Sequence, residues 1–281
     1  MADFTISCTP TAGTVTRPAR VLTLLIAMLA TAASLGGLLL PGLYRDNAFT
    51  TSTWLGNDLA TLLVTVPILL ISLGLAVRGS DRAYLVWLAL LDTTLYNFGF
   101  YLFGTAFNWF FLVYVALFGL SIWALFIGLA NLDVDAFAQK CSTSTPVRSI
   151  AVFMAFVGVG LTSVYVAQWA AFVATGVLPP IITMTEQHTN VVFALDLALV
   201  IPMLVVGAIW LWQRRPWGFA IAGIITVKGA VYMVGLCAST YTAFRAGTVE
   251  SLAQIGLWAS IGIGCAIAAV VLLGNLKESE S

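Results

Sequence analysis

Eight apolar stretches, each long enough to cross a bilayer, recur along this chain from one end to the other. A crossing takes roughly 20 predominantly apolar residues, and only a helix satisfies every backbone N–H and C=O within one segment where lipid offers no partner. The stretches fall at 20-41, 57-77, 83-104, 107-131, 150-174, 191-213, 217-240 and 252-274. They predict an all-α fold, a polytopic transmembrane helical bundle of eight spans. Charge content agrees, since charged residues make up 9% of the chain where a soluble domain carries about 25%.

The longest polar segments are 1-19, 42-56, 132-149 and 175-190, too short for a soluble domain. The expected organisation is a cytoplasmic tail over 1-19, a membrane domain over 20-274 and a second cytoplasmic tail over 275-281. The first stretch has a rival reading as a secretion signal, with Arg17 and Arg20, then VLTLLIAMLA, then Ala30-Thr31-Ala32 as a small-residue cleavage site. The apolar run continues to Pro41, which favours a retained span.

Orientation follows from Lys and Arg, because positively charged loops stay in the cytoplasm. With eight spans, nine of the twelve basic residues fall on one side: Arg17, Arg20, Arg78, Arg82, Lys140, Arg148, Arg214, Arg215 and Lys277. Both ends are therefore expected in the cytoplasm. A formal net charge of +0 with no basic patch argues against nucleic acid as a partner. Membrane lipid is the expected surrounding, with a small-molecule or ion ligand inside.

No cofactor is expected. Cys8, Cys141, Cys237 and Cys265 form no CxxC, and the single histidine, His188, lies in the 175-190 loop near Glu186. Bis-histidine haem ligation and multi-histidine metal centres need more than one.

Polar residues at bilayer depth carry the functional signal. Lys228 lies near the middle of the seventh span, and a charge there costs a few kcal/mol or more unless it is paired or wetted. Asp92 comes nine residues into the expected third span, roughly 14 Å at 1.5 Å per residue, near the midplane. Asp196 lies in the outer third of the sixth span. Depth favours Asp92 as the partner of Lys228, and the adjacency of spans six and seven favours Asp196 slightly more. Asp58 sits at the expected outer end of span two, where the unpaired N–H groups of a helix start favour a carboxylate, so a cap is the first reading there. The polar segments 42-56 and 175-190 both lead into spans with an outer carboxylate, and are expected to cover an outward-facing vestibule.

Spacing also predicts a 4+4 parallel internal repeat with halves 20-131 and 150-274. A shift of 136 residues lays Asp92-x3-Tyr96-x2-Gly99 on Lys228-x3-Tyr232-x2-Gly235, and a shift of 135 lays Val66-Pro67 on Ile201-Pro202. In each half a mid-helix proline precedes a basic turn and then a helix face with charge, tyrosine and glycine at i, i+4 and i+7. Identity elsewhere is no better than between any two apolar helices. The segment Tyr96 to Tyr114 holds ten aromatics, read as an interfacial belt at the outer surface or as the wall of a pocket.

Asp196-Leu-x4-Pro202, Arg214-Arg215-Pro216-Trp217-Gly218 and Lys228-Gly229, together with Asn57-Asp58-Leu59, Tyr96-Asn97 and the aromatic run, resemble a pattern in uncharacterised bacterial multi-pass inner-membrane proteins. The resemblance covers most of the chain outside the first tail. It implies a bacterial cytoplasmic membrane and carries no activity with it.

Three function classes fit. The first is a transporter or permease for a small solute or ion, with Asp92, Asp196, Lys228, Tyr96, Asn97, Tyr232 and Asp58 as binding or ion-coupling candidates. The second is a non-catalytic membrane sensor or assembly partner whose charged cluster is a structural ion pair. The third is a retinal-binding protein with Lys228 as the Schiff-base lysine and Asp92 as counter-ion, against which stand the eighth span and Ile224 one turn before the lysine. No nucleophile and base pair marks an enzyme.

Overall fold

The structure is a computed structural model that describes residues 12–277; Cys8 and most of the first tail lie outside them. Among the described residues, eight helices are long and apolar enough to cross a membrane: Arg17–Leu39, Ala48–Val77, Asp81–Gly104, Phe111–Ala130, Val147–Thr175, Val191–Trp212, Pro216–Arg245 and Ala253–Gly274, spans one to eight. Two short helices, Val134–Lys140 and Pro180–Thr185, lie in connections.

Span three is the axis of the bundle. It is buried along most of its length, whereas span eight shows most of its surface to lipid. Spans two, four and seven pack around span three, with span one against span four and span six between spans five and seven. Large apolar side chains such as Leu63, Leu112, Phe156 and Val270 point outward, as a lipid-facing surface requires.

Span two corrects the sequence reading. Of residues 42-56 only 42-47 form a connection: the helix starts at Ala48, where the Asn47 side chain accepts a hydrogen bond from the Thr50 N–H at 2.9 Å. The polar run after it tolerates the helix because its hydroxyls bond backward, Ser52 to the Phe49 carbonyl and Thr53 to the Thr50 carbonyl, both at 2.7 Å. The same stretch lies against span seven, where Ser239 Oγ donates to the Thr53 carbonyl at 2.9 Å. Gly56 makes that approach: a Cβ on it would stand 2.4 Å from the Ser239 Cα.

The expected vestibule goes with that loop. Asn57 is well inside the helix, and the 175-190 connection rests on the end of the bundle. Asn47 Nδ2 donates to the Met184 carbonyl at 2.8 Å, and Gln187 Nε2 to the Gly104 carbonyl at 2.7 Å. Glu186 and His188 are exposed there.

At the opposite end, Lys140 on the short helix reaches Asp81 at the start of span three, whose Oδ1 accepts the Ala12 N–H at 2.7 Å. Arg82 donates to the Leu276 carbonyl. These contacts tie both described chain ends to one face. Burial pushes the Cys141 thiol on that face up to about 12, so it stays protonated at neutral pH.

Two helices are interrupted in the same way. Spans two and six each contain one π-helical turn, Thr61–Thr65 and Asp196–Val200, with Pro67 and Pro202 following at the same distance. Such turns insert one residue, re-aim the side chains around them, and often accompany function.

Candidate functional site

Lys228 and Asp92 meet at mid-bundle. Each lies about 17 Å along its span from the face that carries the chain ends, by the rise of 1.5 Å per residue, and Nζ is 2.9 Å from Asp92 Oδ2. The side chains are 3% and 8% exposed. The two groups form a buried ion pair, and neither Asp92 Oδ2 nor Lys228 Nζ has a further hydrogen-bond partner among the described residues. The ammonium also sits over the ring of Tyr96, 4.7 Å from its centroid, on the electron-rich face.

Among the described residues, Lys228 is ion-paired with Asp92 and not with Asp196. Asp196 is the first residue of the π-helical turn of span six, and its two oxygens accept from two tyrosines, Tyr96 at 2.7 Å and Tyr165 at 2.6 Å. The slight preference for Asp196 as the lysine's partner is thus overturned: adjacency of two helices does not aim their side chains at each other, and Asp92 both shares the depth of Lys228 and meets it. Tyr96 links the halves of the cluster, its hydroxyl on Asp196 and its ring between Lys228 and Tyr232, with the two tyrosine centroids 5.0 Å apart.

Asn97 continues this polar file away from the ion pair. Its Oδ1 accepts from Asn57 Nδ2 at 2.7 Å, and its own amide nitrogen lies 3.4 Å from Thr61 Oγ1 on the π-helical turn of span two. Asp58 forms a separate cluster one layer further on, and it is not a helix cap, because the helix begins ten residues earlier. Its Oδ2 accepts from Tyr44 at 2.6 Å and its Oδ1 from Tyr101 at 2.9 Å. Gly37 of span one closes over it, since a Cβ there would fall 2.0 Å from Asp58 Oδ2.

The aromatic run serves two purposes. Tyr96, Phe98, Tyr101 and Tyr114 are buried among the spans, whereas Phe103, Phe107 and Trp109 are exposed in the manner of an interfacial belt. Tyr44, Tyr101 and Tyr165 are functional candidates that the sequence reading missed. A lone tyrosine in an otherwise apolar stretch, as Tyr165 is, was the available signal.

The cluster therefore brings two buried carboxylates and one buried ammonium together at mid-bundle. Compared with known families, curated proteins and solved structures, the chain matches none.

Proposed function

We propose that the chain is a transporter or permease for a small solute or ion, and that the Asp92, Lys228 and Asp196 cluster binds the cargo or a coupled proton. The observation that carries this reading is the charge count: the cluster holds two buried carboxylates, Asp92 and Asp196, and one buried ammonium, which is paired with Asp92. Isolated charge in a low-dielectric interior is expensive, so the surplus carboxylate calls for a proton, a small cation or the amino group of a zwitterion. The ammonium carries three N–H donors against one ion-paired carboxylate, which leaves donor capacity for an anionic group. Asp196 is the natural receiving group, because hydroxyl donors can hold it while its charge changes and the π-helical turn leaves local backbone free to adapt.

The same reading takes the two halves as a parallel 4+4 duplication. The π-helical turns and the prolines that follow recur 135 residues apart, as do two left-handed residues, Gly79 at φ 94° and Arg214 at φ 54°. At the 136-residue offset Asp92 pairs with Lys228 and Tyr96 touches Tyr232, so residues and their mates meet, as they would on an axis between spans three and seven. The membrane is taken as a bacterial cytoplasmic membrane with both ends inside, on the resemblance and on the distribution of Lys and Arg.

The second reading, a sensor or assembly partner with the pair as a lock, is favoured by the 2.9 Å contact and the close packing of span three. Ligand-dependent melting separates the two. Screened against small cations, zwitterions and organic anions, the wild-type protein should show a saturable rise in melting temperature with at least one class, of several degrees at a hundredfold excess over Kd. That rise should be lost in Asp196→Asn. A flat panel favours the lock, and a visible absorption band on adding retinal would point instead to a Schiff base on Lys228.

A further inference from the structure

Two recesses share a wall on the face that carries the chain ends, far from the Asp/Lys cluster. The first has a volume of about 470 Å³ and a mixed lining, bounded by the 143–146 loop with Thr143 and Ser144, and by Arg148 and Arg214. The second, about 490 Å³, runs along the outside of span five past Val152, Phe153 and Phe156. Arg148 and Trp212 border both, and the Arg148 guanidinium lies over the Trp212 ring at 5.5 Å. Val152 and Phe156 are 57% and 76% exposed, so the second recess opens on the lipid-facing surface.

The backbone at Arg214 carries a further signal. The turn after span six closes with Arg215 N bonded to the Trp210 carbonyl at 2.8 Å and Arg214 N to the Leu211 carbonyl at 2.9 Å. This is the helix ending whose central residue must be left-handed, a position suited to glycine. The corresponding turn after span two, closed by Ser80 N to the Leu75 carbonyl at 3.2 Å, has Gly79 there. An L-residue in that conformation is strained by about 1 kcal/mol, and strain of this kind points to a side chain with a task. One guanidinium nitrogen of Arg214 bonds the Thr143 and Thr145 carbonyls at 3.0 and 3.3 Å, which fixes the fork at the rim of the first recess and leaves other N–H donors of that fork for a ligand. Span five starts beside it without a side-chain cap, so its first amides add positive potential.

We infer that the joined recesses hold one anionic phospholipid, its phosphate between Arg148 and Arg214 and an acyl chain along Val152, Phe156 and Trp212. Two arginines with no carboxylate among the lining residues select an anion. A soluble anion would make no use of the apolar recess, and its opening at membrane depth suits a chain already in the bilayer.

The test is a melting titration of the purified full-length protein in neutral detergent with phosphatidylglycerol, phosphatidylcholine and inorganic phosphate, with lipid adducts counted by native mass spectrometry. Wild type should gain stability saturably with phosphatidylglycerol alone and retain one lipid. Arg214→Gly relieves the strained turn, so its lipid-free melting temperature should equal or exceed the wild-type value while its affinity for phosphatidylglycerol falls roughly fivefold or more. Arg148→Gln, an exposed change, should weaken binding to a similar degree and serves alone if the glycine variant does not fold. Wild-type affinity in either folded variant, an equal response to phosphatidylcholine, or an equal response to inorganic phosphate would each overturn the proposal.

Discussion

Lys228→Met should destabilise the protein by about 3–5 kcal/mol, because it strands buried Asp92 with no other partner for its Oδ2 among the described residues. Adding Asp92→Asn removes the stranded charge as well, and the double variant should recover most of that loss. Lys228→Met with Asp196→Asn should recover clearly less, since Asp196 is held by Tyr96 and Tyr165 rather than by the ammonium. Chemical or thermal unfolding of the two cycles in one detergent gives the coupling energies directly. Additive losses in the Asp92 cycle would mean that the 2.9 Å contact contributes nothing to stability.

Gly56→Ala should cost about 3 kcal/mol or more, at the upper end of overpacking, because the obstacle is backbone and cannot rotate away. The new Cβ would stand 2.4 Å from Ser239 Cα and 2.5 Å from the Ala238 carbonyl carbon, so spans two and seven must separate. Gly74→Ala in the same span is the control. Nothing lies within 4 Å of a Cβ there, and alanine should be neutral or stabilising by up to about 1 kcal/mol. Melting temperatures of the two variants give the comparison. Equal melting would show that spans two and seven do not meet at Gly56.

The eight spans were legible in the sequence because lipid leaves a polar backbone a single solution, and apolar length alone announces it. The start of span two was not, because Thr50, Thr51, Ser52 and Thr53 look like a loop until the Ser52 and Thr53 hydroxyls are seen to bond carbonyls three residues back. That one misplacement turned Asp58 from a buried acceptor of two tyrosines into an apparent cap, and turned the start of a helix into a vestibule wall. Depth arithmetic placed Asp92 and Lys228 at one level without any knowledge of rotation about the helix axes. Rotation is what decided the rest. The π-helical turns at Thr61–Thr65 and Asp196–Val200 shift the facing of their spans, and no periodicity in the apolar pattern marks them. Tyr165 escaped for the same reason, as its hydroxyl reaches Asp196 from a span that otherwise reads as lipid-facing.

Under the proposed function, the surplus carboxylate of the cluster lets this protein bind and move a charged cargo. Asp196→Asn reduces the cluster to one carboxylate and one ammonium while an amide oxygen still accepts from tyrosine, so the variant should remain folded. Charge displacement on a solid-supported membrane, recorded during rapid jumps of pH, small cations and zwitterions over reconstituted protein, reads the claim directly. Wild type should give a saturable transient with at least one of these, strongest with the class that raises its melting temperature, and Asp196→Asn should give none at equal folded fraction. A silent wild type across the whole panel, or an unchanged transient in Asp196→Asn, would contradict it.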